Sequence, residues 1–228
     1  MSDSIRWLPL ESNPETINSF LRKMGVEKGV ECVDVLGFDD DLLAMLPRPH
    51  YALILCFPDY KKVHEIMHSV YGQLEKKGVG VPPDVFFMKQ KISNACGTFA
   101  LLHSLVNNKT RINLGDGSLK KWMDKAVELD VNDRSDSLAN DSELANAHED
   151  CARSGDTEAE PAEDVEHHFI CYVIVNGTLY EIDSSQNFPR DCGKSTEETF
   201  MKDAGKVCRE LMSKMDNISF SALALVRS

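Results

Sequence analysis

Cys96 lies in the stretch Gln90–Thr98, QKISNACGT, directly ahead of the apolar run Phe99–Leu105. That run predicts a buried helix beginning at or just after Asn94 and Ala95, with the cysteine in its first turn. The first N–H groups of a helix have no intrahelical partner, and the positive end of the macrodipole favours an anion such as a thiolate. The same amides can hold a developing oxyanion. Gly97 is expected to leave room for a substrate chain to approach the sulfur. A structural cysteine buried at a helix start would present the same residues, so a nucleophile also needs a base.

A base can come from a distant hairpin. Asn176 and Gly177 stand between two strand-like runs, 168–175 and 178–183, the strongest short hairpin signal in the chain. With a two-residue turn, Ile170 faces Asp183 and His168 faces Ser185. His168 and Asp183 then project from one face as diagonal neighbours, about 7–8 Å apart at the backbone. Imidazole and carboxylate can meet at that separation, as base and orienter of a Cys-His-Asp triad. His167 points to the opposite face. A surface histidine near a surface aspartate is the ordinary alternative.

The other histidines carry less. His103, on the Cys96 helix, points back along that helix rather than beyond its N-terminus. His64 and His68 have a spacing that suits zinc, but no cysteine or carboxylate completes the set. No phosphate-binding loop appears. No metal and no cofactor are expected.

These groups need a scaffold, and the elements alternate. Ser12 to Glu15 read as a helix start, followed by Ile17, Phe20, Leu21 and Met24 at helical spacing and a stop at Gly25. Further helices are expected at 42–46, 59–76, 95–107, 118–129 and 196–215. Strands are expected at 30–36, at 51–57 as a buried central strand, at 84–90 and at 218–226, besides the hairpin. The pattern predicts one α/β (α+β) domain over 1–228, with helices on both sides of a sheet.

The chain has 228 residues, 42% hydrophobic and 27% charged, an ordinary globular balance. Its formal net charge of −12 argues against a nucleic-acid partner and suits a partner with a cationic tail. Seven cysteines without a CxxC pair read as a reduced, intracellular chain. No targeting segment or membrane span is apparent, so the expected compartment is the cytoplasm, with the nucleus a second one. From Asp141 to Glu166 there are ten acidic residues, one base and no aromatic. That stretch is expected to be mobile, either as a lid or as an inert insert.

Taken together, these motifs resemble the ubiquitin carboxyl-terminal hydrolase family of cysteine peptidases, in its short single-domain form. The resemblance rests on Trp7–Glu15 (WLPLESNPE), Gln90–Thr98, His168–Ile170 (HFI) and Leu179–Asp183 (LYEID), in the family's order. It implies a papain-like core around an antiparallel sheet, with a knotted chain path. It implies Cys96 as nucleophile, His168 as general base then acid, and Asp183 as orienter. Gln90 would then give a side-chain amide to the oxyanion hole, with the Cys96 N–H as second donor.

The stretch 141–166 falls where this family has its active-site crossover loop. The implied reaction is release of small adducts or short peptides from the terminal glycine of ubiquitin, by a monomer that needs no membrane. Where the family usually has glycine and then basic residues after the aspartate, Ser184, Ser185, Gln186 and Asn187 stand here. The rival readings are a hydrolase for another ubiquitin-like modifier and a non-catalytic ubiquitin binder.

Overall fold

The apolar run HYALILCF becomes β2 (His50–Phe57), a strand buried along its whole length near the middle of a six-stranded sheet. The others are β1 (Glu31–Asp34), β3 (His168–Val175), β4 (Thr178–Ile182), β5 (Arg190–Lys194) and β6 (Ser221–Val226). The computed structural model describes residues 5–58, 60–155, 167–214 and 220–228. Strand order is β1-β6-β2-β3-β4-β5, with antiparallel neighbours throughout.

Alternation along β2 divides the interior into two cores. Ala52, Ile54 and Cys56 join Phe169, Cys171 and Val173 on one face, while Leu53, Leu55 and Phe57 join Ile170 and Tyr172 on the other. The first face is covered by α1 (Pro14–Lys23), α4 (Cys96–Val106), α5 (Ser118–Ala126), α6 (Val131–Ala139) and α7 (Ser142–Ala152). The second is covered by α2 (Asp40–Leu43), α3 (Tyr60–Lys76) and α8 (Phe200–Met212). Each sheet face needs such cover because both carry apolar side chains.

Local chemistry sets the ends of α1. The Asn13 side chain accepts from Glu15 N at 2.8 Å, and Pro14 occupies the first turn. At its other end Gly25 has φ +89°, and a Cβ there would lie 2.5 Å from Gly117 Cα. Glycine at both positions lets the end of α1 touch the start of α5, where Leu119 N donates to Met24 O.

Three expectations change. Residues 84–90 do not form a strand. Their backbone is satisfied by side chains instead: Phe86 N donates to Asn107 Oδ1, Asn107 Nδ2 donates to Phe86 O, and Met88 N donates to His103 Nε2. A run whose polar groups are met by side chains of α4 and its C-cap needs no neighbouring strand. The acidic stretch is not structureless from Asp141. Its first half is α7, started by Asp141, which accepts from Leu144 N at 2.9 Å.

Leu144, Ala147, His148, Cys151 and Ala152 form a buried stripe on α7 at helical spacing, and apolar burial on that face outweighs the charge on the other. Residues 156–166, where the remainder of the expected crossover loop falls, lie outside the described residues. Finally, α6 and β5 add to the expected elements, and α8 begins at Phe200 rather than at 196. Among the described residues no helix is long and apolar enough to cross a membrane.

Candidate active site

Cys96 is the first residue of α4, as the sequence predicts. Asn94 turns the chain into the helix with φ 63°, a left-handed conformation that asparagine tolerates. Ala95 at the cap offers no side-chain bond, so the first-turn amides of α4 are not taken by a capping side chain. All eleven residues of α4 are buried, which seats it as a core helix that can hold its first residue rigidly.

Gly97 does something other than expected. A Cβ there would meet Leu10 Cβ at 3.3 Å and Phe169 at 3.4 Å. The space is filled by protein, so the glycine serves the close approach of α4 to β3 rather than of a substrate to the sulfur. That approach brings Cys96 beside the strand residue next to Phe169, His168.

The hairpin has the predicted register: Val175 faces Thr178 and Cys171 faces Ile182. Asn176 and Gly177 both take positive φ, 50° and 76°, as the two-residue turn requires. His168 and Asp183 consequently meet, with His168 Nε2 2.7 Å from Asp183 Oδ1. The Cys96 thiol is a close enough neighbour of the His168 ring to be among the groups that raise its pKa. With Nε2 donating to the carboxylate, Nδ1 is the nitrogen left for the sulfur. His167, by contrast, is exposed.

Both ionisable partners are almost wholly buried, His168 at 5% and Asp183 at 4% exposure. Burial pushes the His168 pKa down, but the Asp183 charge, their shared hydrogen bond and the contact with Cys96 outweigh it and hold the imidazole well above its ordinary range. Burial likewise disfavours the Asp183 carboxylate, yet His168 and the Ser185 bonds carry its pKa down to about 2. Ser185 N donates to the same oxygen, Asp183 Oδ1, at 2.9 Å, and Gln186 Nε2 reaches Oδ2 at 3.5 Å, so both carboxylate oxygens are held. The pair therefore favours a charged imidazole against a charged carboxylate.

Gln90 lies at the same turn. Its backbone N donates to Ser184 O at 2.8 Å. Its side-chain Nε2 donates to Ile92 O at 2.8 Å, and its Oε1 accepts from Ser184 Oγ at 2.7 Å. One N–H of the amide is left over for a ligand. Next to it, Lys89 Nζ donates to Ser185 O at 2.5 Å and Asn187 Oδ1 at 3.0 Å. Three of the four residues after Asp183, namely Ser184, Ser185 and Asn187, thus brace the two residues Lys89 and Gln90.

Sequence reasoning did not find the residues that hold these groups. Ser184 bonds a residue 94 positions away, which no local pattern signals. His103, expected to point back along its helix, is fully buried, stacks on Phe87 with ring centroids 5.5 Å apart, and accepts from Met88 N at 2.9 Å. Burial pushes its pKa down to about 3, which keeps it neutral and able to accept. It anchors the segment that ends in Gln90. His148 on α7 bridges Thr98 Oγ1 and Leu8 O, each at 2.7 Å, and so ties α7 and the N-terminal segment to the first turn of α4. Its place inside the acidic stretch hid it.

The chain is similar to known proteins over most of its length. The family model described as ubiquitin carboxyl-terminal hydrolase, family 1, matches residues 7–213. Over 225 residues the chain is 41% identical to a ubiquitin carboxyl-terminal hydrolase of Drosophila melanogaster, covering 97% of each. It is 38% identical over 223 residues to ubiquitin carboxyl-terminal hydrolase isozyme L1 of Homo sapiens, covering 96% of this chain and 98% of the human protein. In fold it is similar to the Trichinella spiralis UCH37 catalytic domain, solved bound to ubiquitin vinyl methyl ester. That match has a TM-score of 0.76 at 23% identity and covers 97% of this chain and 95% of the other.

Proposed function

We propose that this chain, which belongs to family 1 of the ubiquitin carboxyl-terminal hydrolases, acts on ubiquitin through Cys96, His168, Asp183 and Gln90. Its activity is that of a deubiquitinating cysteine hydrolase. The observation that carries the residue assignment is the position of His168, with one ring nitrogen on Asp183 and the neighbouring Phe169 packed against Gly97, the residue after Cys96.

In this mechanism the raised imidazole pKa lets His168 hold the proton given up by Cys96, and the thiolate sulfur attacks the carbonyl carbon of ubiquitin's terminal glycine. The carbonyl oxygen becomes an oxyanion held by the Cys96 N–H and the spare N–H of Gln90 Nε2. His168 then gives its proton to the departing amine or thiol, the C–N or C–S bond breaks, and a thioester remains. Water, deprotonated by His168, attacks the thioester, releasing the ubiquitin carboxylate and restoring the thiol. Asp183 keeps the imidazole in one tautomer and offsets its charge while it is protonated. Gln90 suits its task because a neutral amide does not titrate with the other three.

The net charge of −12 supports a cationic ubiquitin tail as the ligand, drawn in by the long-range field. All seven cysteines are unpaired, which supports a reducing compartment, the cytoplasm. The crossover loop, as a gate on leaving-group size, now rests on the segment after Arg153, because Ser142–Ala152 is committed to α7. Shortening that segment within 156–166 is expected to leave small adducts cleaved as before while admitting bulkier leaving groups. An unchanged size preference would remove the gate from the reading.

The deciding experiment is covalent capture by ubiquitin bearing an electrophile at its C-terminus. One adduct at Cys96 is expected, absent in Cys96→Ser. Cys96→Ala should lose turnover while still binding ubiquitin. Hydrolysis that survives in Cys96→Ala would refute the nucleophile assignment, and binding without any adduct in the unaltered chain would make it a non-catalytic binder.

A further inference from the structure

We propose that Ser184 is a positioning residue for the reaction, its hydroxyl setting the direction in which the Gln90 amide presents its spare N–H; this rests on the assignment of Gln90 as oxyanion donor. A glutamine side chain is a loose donor by nature. Its last torsion is broad, so the amide plane turns at little cost, and an amide presented by its oxygen would repel an oxyanion. Here both ends of the amide are held. Ile92 O can only accept, so it selects Nε2, at 2.8 Å. The Ser184 hydroxyl donates to Oε1 at 2.7 Å from the other end. Two anchors fix the plane, where one would leave it free to swing about a single bond.

The backbone strengthens the argument. Gln90 N donates to Ser184 O at 2.8 Å, so the two residues are joined through main chain as well as side chain. Ser184 is 2% exposed and directly follows Asp183, whose Oδ1 accepts from Ser185 N at 2.9 Å. One turn therefore sets the position of the group that orients His168 and of the group that would meet the oxyanion. Once the packed core has brought Gln90 to this turn, the turn sets the separation of the two groups.

The test is a double-mutant cycle on ubiquitin carrying a fluorogenic amine at its C-terminal glycine. Ser184→Ala should lower kcat about 3- to 10-fold, the worth of one neutral hydrogen bond, with KM little changed. Alkylation of Cys96 by iodoacetamide, which reads the Cys96–His168 pair, should proceed at the unaltered rate. In a Gln90→Ala background the same substitution should cost nothing further. If Ser184→Ala does not yield folded protein, Ser184→Cys makes the same comparison, since a thiol of similar size is a weak donor.

A full loss of kcat that repeats in the Gln90→Ala background, or no loss when Gln90 is present, would overturn the role of Ser184. If Gln90→Ala alone leaves kcat unchanged, the oxyanion assignment itself fails, and that single variant separates the two failures.

Discussion

Asp183 illustrates how one side chain governs the chemistry of another. His168 is buried deeply enough that desolvation alone would leave it neutral; the carboxylate at 2.7 Å is the main counterweight. Asp183→Asn retains the shape and a hydrogen-bonding oxygen but removes the charge. The His168 pKa is then expected to fall from well above the ordinary 6.5 to below it, and kcat to drop by roughly 10²–10⁴. An NMR titration of the His168 ring reads the first change directly. A ring that still titrates high in Asp183→Asn would mean that Asp183 is not what holds the proton. Gln90 and Ser184 belong to the same level of description, since a change of one hydroxyl should be felt at the oxyanion and nowhere else.

Among the elements, β4 and β5 are joined by a buried charge cluster in addition to their antiparallel pairing. Glu181 is fully buried and takes two bonds from Arg190, at 2.9 and 2.7 Å. The hydroxyls of Tyr71 and Tyr172 also donate to its two oxygens, at 3.1 and 2.8 Å. Such a group is satisfied as a set or not at all. Arg190→Ala leaves a carboxylate without its counter-charge in the core, and a loss of about 3–5 kcal/mol in unfolding free energy is expected by urea titration. Replacing both partners, Glu181→Gln with Arg190→Met, should recover most of that loss. Equal destabilisation by the double and single changes would show that packing around Arg190, and not the stranded charge, sets the cost. The segment 84–90 obeys the same logic with neutral groups, its backbone met by Asn107 and His103.

For the molecule as a whole, buried histidines shape stability against pH; burial lowers the pKa of His50, His103 and His148, while that of His168 is raised. Burial pushes the pKa of His103 down to about 3 and that of His148 down to about 4. Both titrate near 6.5 when unfolded, so below that pH the unfolded chain binds more protons. Stability then falls, by up to about 1.4 kcal/mol per pH unit for each histidine, until the folded pKa is reached. His168 has the opposite sign, because its folded pKa is raised. Its contribution is complete below about 6.5 and is lost as pH rises through the folded pKa. Thermal unfolding between pH 4 and 8.5 should therefore give a maximum in Tm near pH 6.5. His148→Gln is expected to flatten the acid limb, and His168→Gln the alkaline one. A Tm that rises steadily across the whole range would contradict this account.

Much of the fold and the core of the site could be read from neighbouring residues alone. Asn176 and Gly177 fix the hairpin, the hairpin fixes its register, and the two-residue alternation of a strand then puts His168 and Asp183 on one face. The start of α4 at Cys96 follows as directly from the apolar run behind it. These are short-range consequences of backbone geometry and periodicity, so they survive without knowledge of the rest of the chain.

Composition misled where charge hid a stripe: ten acidic residues obscured the i, i+3, i+4 pattern of Leu144, Ala147 and His148 that docks α7. Other features had no local signal at all. That Gly97 faces Phe169 and Leu10, that Ser184 holds Gln90, and that His103 and Asn107 replace a neighbouring strand for 86–88 all depend on segments meeting from far apart. Only packing of the assembled core selects those encounters, because their free energy comes from burial and from satisfying polar groups that the separate segments would leave to water.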